Sequence, residues 1–134
     1  MSHTTGYVYV IYDHRDKICK IGQTVNAGYL SNRYGTESSP FIELVMCENF
    51  GNEYARPIEK LLHAHLDNAR TPQPGRSGYT EWFSISRKDA DFIADIAIRF
   101  YELICTLNDE RKINKLFAEA HARVKKINVQ VQYG

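Results

Sequence analysis

Two short runs near the N-terminus most constrain what this chain can become. Residues 6–12 read GYVYVIY and residues 17–22 read KICKIG. Both are dense in β-branched and aromatic side chains, which suit a half-buried pleated surface. The polar tetrad Asp13-His14-Arg15-Asp16 lies between them. The pattern predicts an antiparallel hairpin with a four-residue loop. With Asp13 to Asp16 as the loop, Tyr12 faces Lys17, Val10 opposes Cys19 and Tyr9 opposes Lys20. Opposed residues share a face. One face then holds Val8, Val10, Cys19 and Ile21, an apolar set for a core. The other holds Tyr7, Tyr9, Lys20 and Gly22, with Tyr9 and Lys20 about 5 Å apart at Cβ. An ammonium there favours the phenolate; a surface Tyr–Lys stack is the plainer reading.

Beyond the hairpin, Gly28 to Tyr34 reads as a short helix capped by Asn26, and Phe41 to Cys47 as a third strand. Glu53 to Asn68 carries an apolar stripe of Ala55, Ile58, Leu61, Leu62 and Leu66, a helix whose Pro57 must sit in its first turn. Arg70 to Tyr79 is a Pro- and Gly-bearing loop, and Glu81 to Ile85 a short strand. Ser86 with Asp89 caps a helix to about Cys105, with Phe92, Ile93, Ile96, Phe100 and Ile104 inward. A further helix runs from Asn108 to about Ile127, and the tail from Val129 to Tyr133 alternates weakly. Composition turns nearly all helical after Ser86. The organisation is therefore a core over 1–86 and a helical extension over 87–134, packed on that core.

At 134 residues the chain is one domain's worth, able to bury about two-thirds of its unfolded surface without disulfides. No apolar run approaches a membrane span, and the N-terminus has no signal-peptide pattern, so a cytoplasmic protein is expected. Cys19, Cys47 and Cys105 are far apart, with no C-x-x-C pair, and read as small core residues. The net charge is only +1, but residues 111–126 set Arg111, Lys112, Lys115, Arg123, Lys125 and Lys126 against Glu119 alone. That segment is a candidate polyanion contact, or a solvated helix face. Its stripe of Ile113, Leu116, Phe117, Ala120 and Val124 would turn inward, leaving the cations outward.

Glu59 and His63 stand one helical turn apart and share a side of their helix, with Arg56 a turn earlier. A lone carboxylate suits magnesium, which keeps most of its waters. Zinc through Glu59, His63 and His65 is the rival, but the two histidines point apart on a helix. A salt bridge of Glu59 with Arg56 or His63 at the helix surface is the structural alternative. The sequence has no phosphate-cradling glycine loop and no G-x-S-x-G elbow, so P-loop hydrolysis and serine acyl transfer lack support.

In order along the chain, GYVYVI, KIG, Arg33, E-K-L-L-H and Glu81-Trp82-Phe83 resemble the GIY-YIG nuclease superfamily, in its phage-protein and meiotic-gene branch. The resemblance covers residues 6–86. It implies an α+β core, a three-stranded antiparallel sheet flanked by helices, and hydrolysis of DNA phosphodiesters with one divalent cation, Mg²⁺ or Mn²⁺. Tyr9 then falls where the family's water-orienting or general-base phenol stands. Gly22 matches the second motif's glycine, Arg33 the phosphate-holding arginine and Glu59 the metal-binding carboxylate. His63 matches a histidine that this branch carries one turn later. Lys20 stands where the second motif's tyrosine would, and the family's late asparagine has no match. The expectation is a DNA endonuclease whose Tyr9, Lys20, Arg33, Glu59 and His63 converge on one face, with the C-terminal cations adding affinity. A nucleic-acid-binding module without turnover and a helical interaction protein are the alternatives.

Overall fold

The computed structural model describes residues 5–28, 40–70 and 82–133, with side chains described to Val124. The short helix expected over Gly28 to Tyr34 lies almost wholly outside the described residues. Strands β1 (Tyr7–Asp13), β2 (Ile18–Thr24) and β3 (Ile42–Asn49) are followed by helix α1 (Ala55–His65) and a 3₁₀ turn at Asp67–Ala69. Strand β4 (Trp82–Phe83) and helices α2 (Arg87–Leu107) and α3 (Glu110–Tyr133) complete the order. The strands form one antiparallel sheet in the order β3-β1-β2-β4. The α+β class is as the sequence implies; the sheet gains a fourth, two-residue strand beyond the three expected.

The hairpin forms, with its register moved by two residues. The Asp13 carboxylate accepts from the backbone N–H groups of Arg15 (2.9 Å) and Asp16 (3.2 Å). The Asp13 carbonyl accepts from Lys17 N–H at 2.8 Å. Lys17 closes the turn at φ 56°. Asp13 thus belongs to β1 and the loop is His14 to Lys17, so Tyr12 opposes Cys19, Ile11 opposes Lys20 and Tyr9 opposes Gly22. An even shift leaves every side chain on its expected face.

Val8, Val10, Tyr12, Cys19, Ile21 and Phe83 make the inner face of the sheet. Ala55, Ile58, Leu61 and Leu62 of α1 pack on it. Gly6 marks the contact: a Cβ there would fall 3.0 Å from that of Ala55. Pro57 is the third residue of α1, where its missing N–H breaks no helical bond. In α2 the buried positions are Ala90, Ile93, Ala94, Ala97, Phe100 and Ile104. Their three- and four-residue spacing leaves Phe92 on the opposite side, 61 % exposed, contrary to the inward placement expected of it. Ser86 Oγ caps α2 by accepting from Asp89 N–H at 3.1 Å, and Asn108 ends it at φ 44°. The Asp109 carboxylate then starts α3 by accepting from Arg111 and Lys112 N–H. The helix continues through the weakly alternating tail to Tyr133. Its stripe turns inward as expected, with Ile113 and Val124 buried and Leu116, Phe117 and Ala120 packed beside them.

Arg87 ties α2 to β3. Its guanidinium grips both oxygens of Glu43, at 3.0 and 2.7 Å, while His14 Nε2 lies 2.7 Å from the same carboxylate. Arg87 above all, then His14, holds the Glu43 carboxyl down at about 2. Of the cysteines only Cys19 is buried, which pushes its thiol up to about 12. Cys47 is half-buried and Cys105 exposed, so the reading of all three as core holds for one.

Candidate active site

The outer face of the sheet, opposite α1, carries Tyr9, Lys20 and Trp82. Tyr9 stands directly across from Gly22 and folds its ring over that residue. A Cβ built on Gly22 would lie 2.5 Å from Tyr9 Cζ and closer still to the hydroxyl. Glycine is needed here for the close approach of a ring. The Lys20 ammonium sits 5.9 Å from the ring centres of both Tyr9 and Trp82. Lys20 is only 8 % exposed. Flanking aromatic faces offset part of the cost of burying its charge. Trp82 holds this ammonium because β4 pairs Trp82 with Lys20 and Phe83 with Cys19.

Glu59 and His63 come from α1, which covers the inner face. Glu59 is 8 % exposed, a buried carboxylate rather than one on the helix surface. His63 Nε2 lies 2.8 Å from the Ile21 carbonyl, and its ring is 5.2 Å from that of Phe83. A carbonyl only accepts, so Nε2 is the donor, which fixes the tautomer of the neutral ring. The bond pins the polar edge of α1 to β2, one residue before the glycine under Tyr9. His65 points elsewhere, among Leu61, Leu62 and Phe100, where burial lowers its pKa. The zinc set of Glu59, His63 and His65 therefore does not assemble. Among the described residues no three His, Cys, Asp or Glu side chains come together as a metal cluster. One carboxylate still fits a hard, water-keeping cation such as Mg²⁺ or Mn²⁺, whose sites need only one or two protein carboxylates.

Of the five expected residues, four are described. Tyr9 and Lys20 leave the outer face of β1 and β2, while Glu59 and His63 come from one side of α1. What the two groups share is a place along β2: His63 holds the Ile21 carbonyl and Tyr9 covers Gly22. Arg33 lies outside the described residues.

The family model of the T5orf172 domain matches residues 6–98, from the start of β1 into α2. The chain belongs to the T5orf172 domain family. This corrects the GIY-YIG assignment: the matching family is a different one, related to that fold, and GIY-YIG is not matched. Comparisons with curated proteins and with solved structures give no match.

The T5orf172 match ends within α2, so the cations of α3 lie beyond it. Arg111, Lys112, Lys115 and Arg123 are exposed. Lys115 reaches Glu119 at 4.0 Å, and Arg123 borders the apolar groove between α2 and α3. The side chains of Lys125 and Lys126 lie outside those described. No helix among the described residues is long and apolar enough to cross a membrane.

Proposed function

We propose that this T5orf172 domain acts on nucleic acid, as an endonuclease that hydrolyses DNA phosphodiester bonds with a divalent metal ion. The observation that supports the reading is that β2 is held at adjacent residues by the Tyr9 ring over Gly22 and by His63, which stands one helical turn from the buried Glu59. The family's relation to a nuclease fold supports it. Hydrolysis needs an oriented water, neutralised phosphoryl oxygens and a proton for the leaving oxygen. Tyr9, held beside Lys20, orients the attacking water and, as phenolate, takes up its proton, while a solvent water gives the leaving oxygen its proton. Arg33 and the Lys20 ammonium neutralise the phosphate. Glu59 is the carboxylate that would hold Mg²⁺ or Mn²⁺, which when bound supplies Lewis-acid stabilisation of the phosphoryl oxygens. His63, with Nε2 committed to Ile21, positions α1 and hence Glu59 rather than shuttling protons. The outward cations of α3 add phosphate contacts and no chemistry.

The exposed cations of α3, which carry no chemistry, favour a second reading, a nucleic-acid-binding module without turnover. A plasmid-nicking assay with and without Mg²⁺ separates the two. Nicking that needs Mg²⁺ and is lost in Glu59→Gln supports the endonuclease. Tight binding with no nicking under any metal selects the binding module.

A further inference from the structure

The seam between α1 and α3 holds two cavities, of about 780 and 440 Å³, which share Lys60 and His121. They form one trough. Arg56, Lys60 and His63 stand at i, i+4 and i+7 on α1, a single face of that helix, and Arg70 follows after the 3₁₀ turn. A four-residue step along a helix advances about 6 Å, close to the step between successive phosphates of a strand. The row runs beside Glu59, and His63 lines the smaller cavity directly.

The larger cavity is lined differently. Tyr54 and Phe117 supply aromatic surface there, and Asn114 an amide. Glu53 and Glu110 supply acceptors, whereas Asp109 is engaged in capping α3. In the smaller cavity Asp67 is paired with Arg70 at 3.2 Å. Cations on one wall with aromatic rings and hydrogen-bonding groups at one end match a strand that runs its phosphates along α1 and turns a base inward. Carboxylates suit the amino groups of bases, not phosphates. A cavity of this size takes a nucleotide, whereas a duplex is too wide to enter a seam between packed helices. Three of the cations singled out by sequence do not serve this trough: Arg111 and Lys115 lie on the side of α3 away from Ile113, and Arg123 borders the opposite groove.

We infer that the α1–α3 trough is the binding track for an unpaired polynucleotide strand, with Arg56 and Lys60 as phosphate contacts and the Tyr54–Phe117 cavity as a base subsite. The inference rests on the nucleic-acid reading above and adds to it an unpaired strand held in the trough. The test is fluorescence anisotropy of a labelled thymidine oligonucleotide and a labelled duplex, with Ca²⁺ in place of Mg²⁺, across a salt series. Wild type is compared with the double variant Arg56→Ala/Lys60→Ala; both side chains are exposed, and a thermal melt checks the fold. Leaving two phosphates of a single strand without their cations should flatten the log–log salt slope by about 1.4, which at 0.1 M salt is about a 25-fold loss of affinity. The duplex should be affected much less. If wild type binds the single strand and the variant keeps its affinity and slope, the trough is refuted while the nucleic-acid reading stands. An equal loss on the duplex refutes the single-strand assignment. Failure of wild type to bind either probe overturns the nucleic-acid reading itself.

Discussion

Replacing Gly22 with alanine should damage the protein through one contact. The added Cβ would lie 2.5 Å from Tyr9 Cζ, whereas unstrained carbons sit at about 3.5–4.0 Å. The ring must retreat by about 1 Å. Tyr9 is only 4 % exposed and packs with Ile11, Ile42 and Cys47, so there is little room to yield. Overpacking of this kind costs about 1–3 kcal/mol. With an unfolding entropy of about 2.1 cal/mol/K per residue, 134 residues give about 280 cal/mol/K, and the melting temperature should fall by about 4–11 °C. Calorimetry or circular dichroism of four proteins checks the cause: wild type, Gly22→Ala, Tyr9→Ala and the double variant. Without the ring, Gly22→Ala should be neutral or slightly stabilising, because alanine loses less chain entropy than glycine. Equal destabilisation in both backgrounds would refute the claim that Gly22 exists to seat Tyr9.

Glu43→Gln should cost about 0.5–1 kcal/mol at neutral pH, since the carboxylate is well exposed. Its folded pKa lies below the usual carboxyl value, so its contribution is complete above about pH 4.5 and fades as pH falls toward 2. Urea melts of the two proteins should therefore converge in acid; a constant gap would show that the effect is not charge. A thiol reagent at neutral pH should label Cys105 quickly, and Cys19 only on unfolding, because it is buried with a pKa of about 12. Fast labelling of Cys19 would mean that β2 opens readily. Replacing Arg111, Lys112 and Lys115 by alanine should weaken duplex binding at every sequence alike and flatten the salt slope by about 0.9 for each phosphate no longer neutralised. An unchanged slope would make that surface a solvated face.

The hairpin and helices are legible in the sequence because period and caps are local. β-branched runs mark β1 and β2, Ser86 and Asp89 mark the start of α2, and the stripe of α3 faces inward as its spacing requires. The register is not legible, because Asp13 folds the turn through its own side chain, which depends on loop geometry rather than on the apolar pattern. Phe92 misleads because its size suggests core, whereas small Ala90, Ala94 and Ala97 form the packing face of α2. At the site, helix spacing pairs Glu59 with His63 and strand parity pairs Tyr9 with Lys20. Neither rule says where the edge of a helix will meet a sheet, so the bond of His63 to the Ile21 carbonyl is not readable. The hold of Trp82 on Lys20 depends on a two-residue strand pairing across about 60 residues of chain, which leaves almost no periodic signal.

That Glu59 is the carboxylate that holds the metal is tested most directly by soaking crystals with Mn²⁺ and locating the ion by its anomalous scattering, in wild type and in Glu59→Gln. Gln preserves the volume of this buried side chain, so the fold should survive. The expected result is a Mn²⁺ ion bonded to the Glu59 carboxylate at roughly 2.0–2.2 Å, with the remaining positions taken mostly by water, and no ion there in the variant. Manganese bound elsewhere with Glu59 unliganded, or a site unchanged in Glu59→Gln, would contradict it.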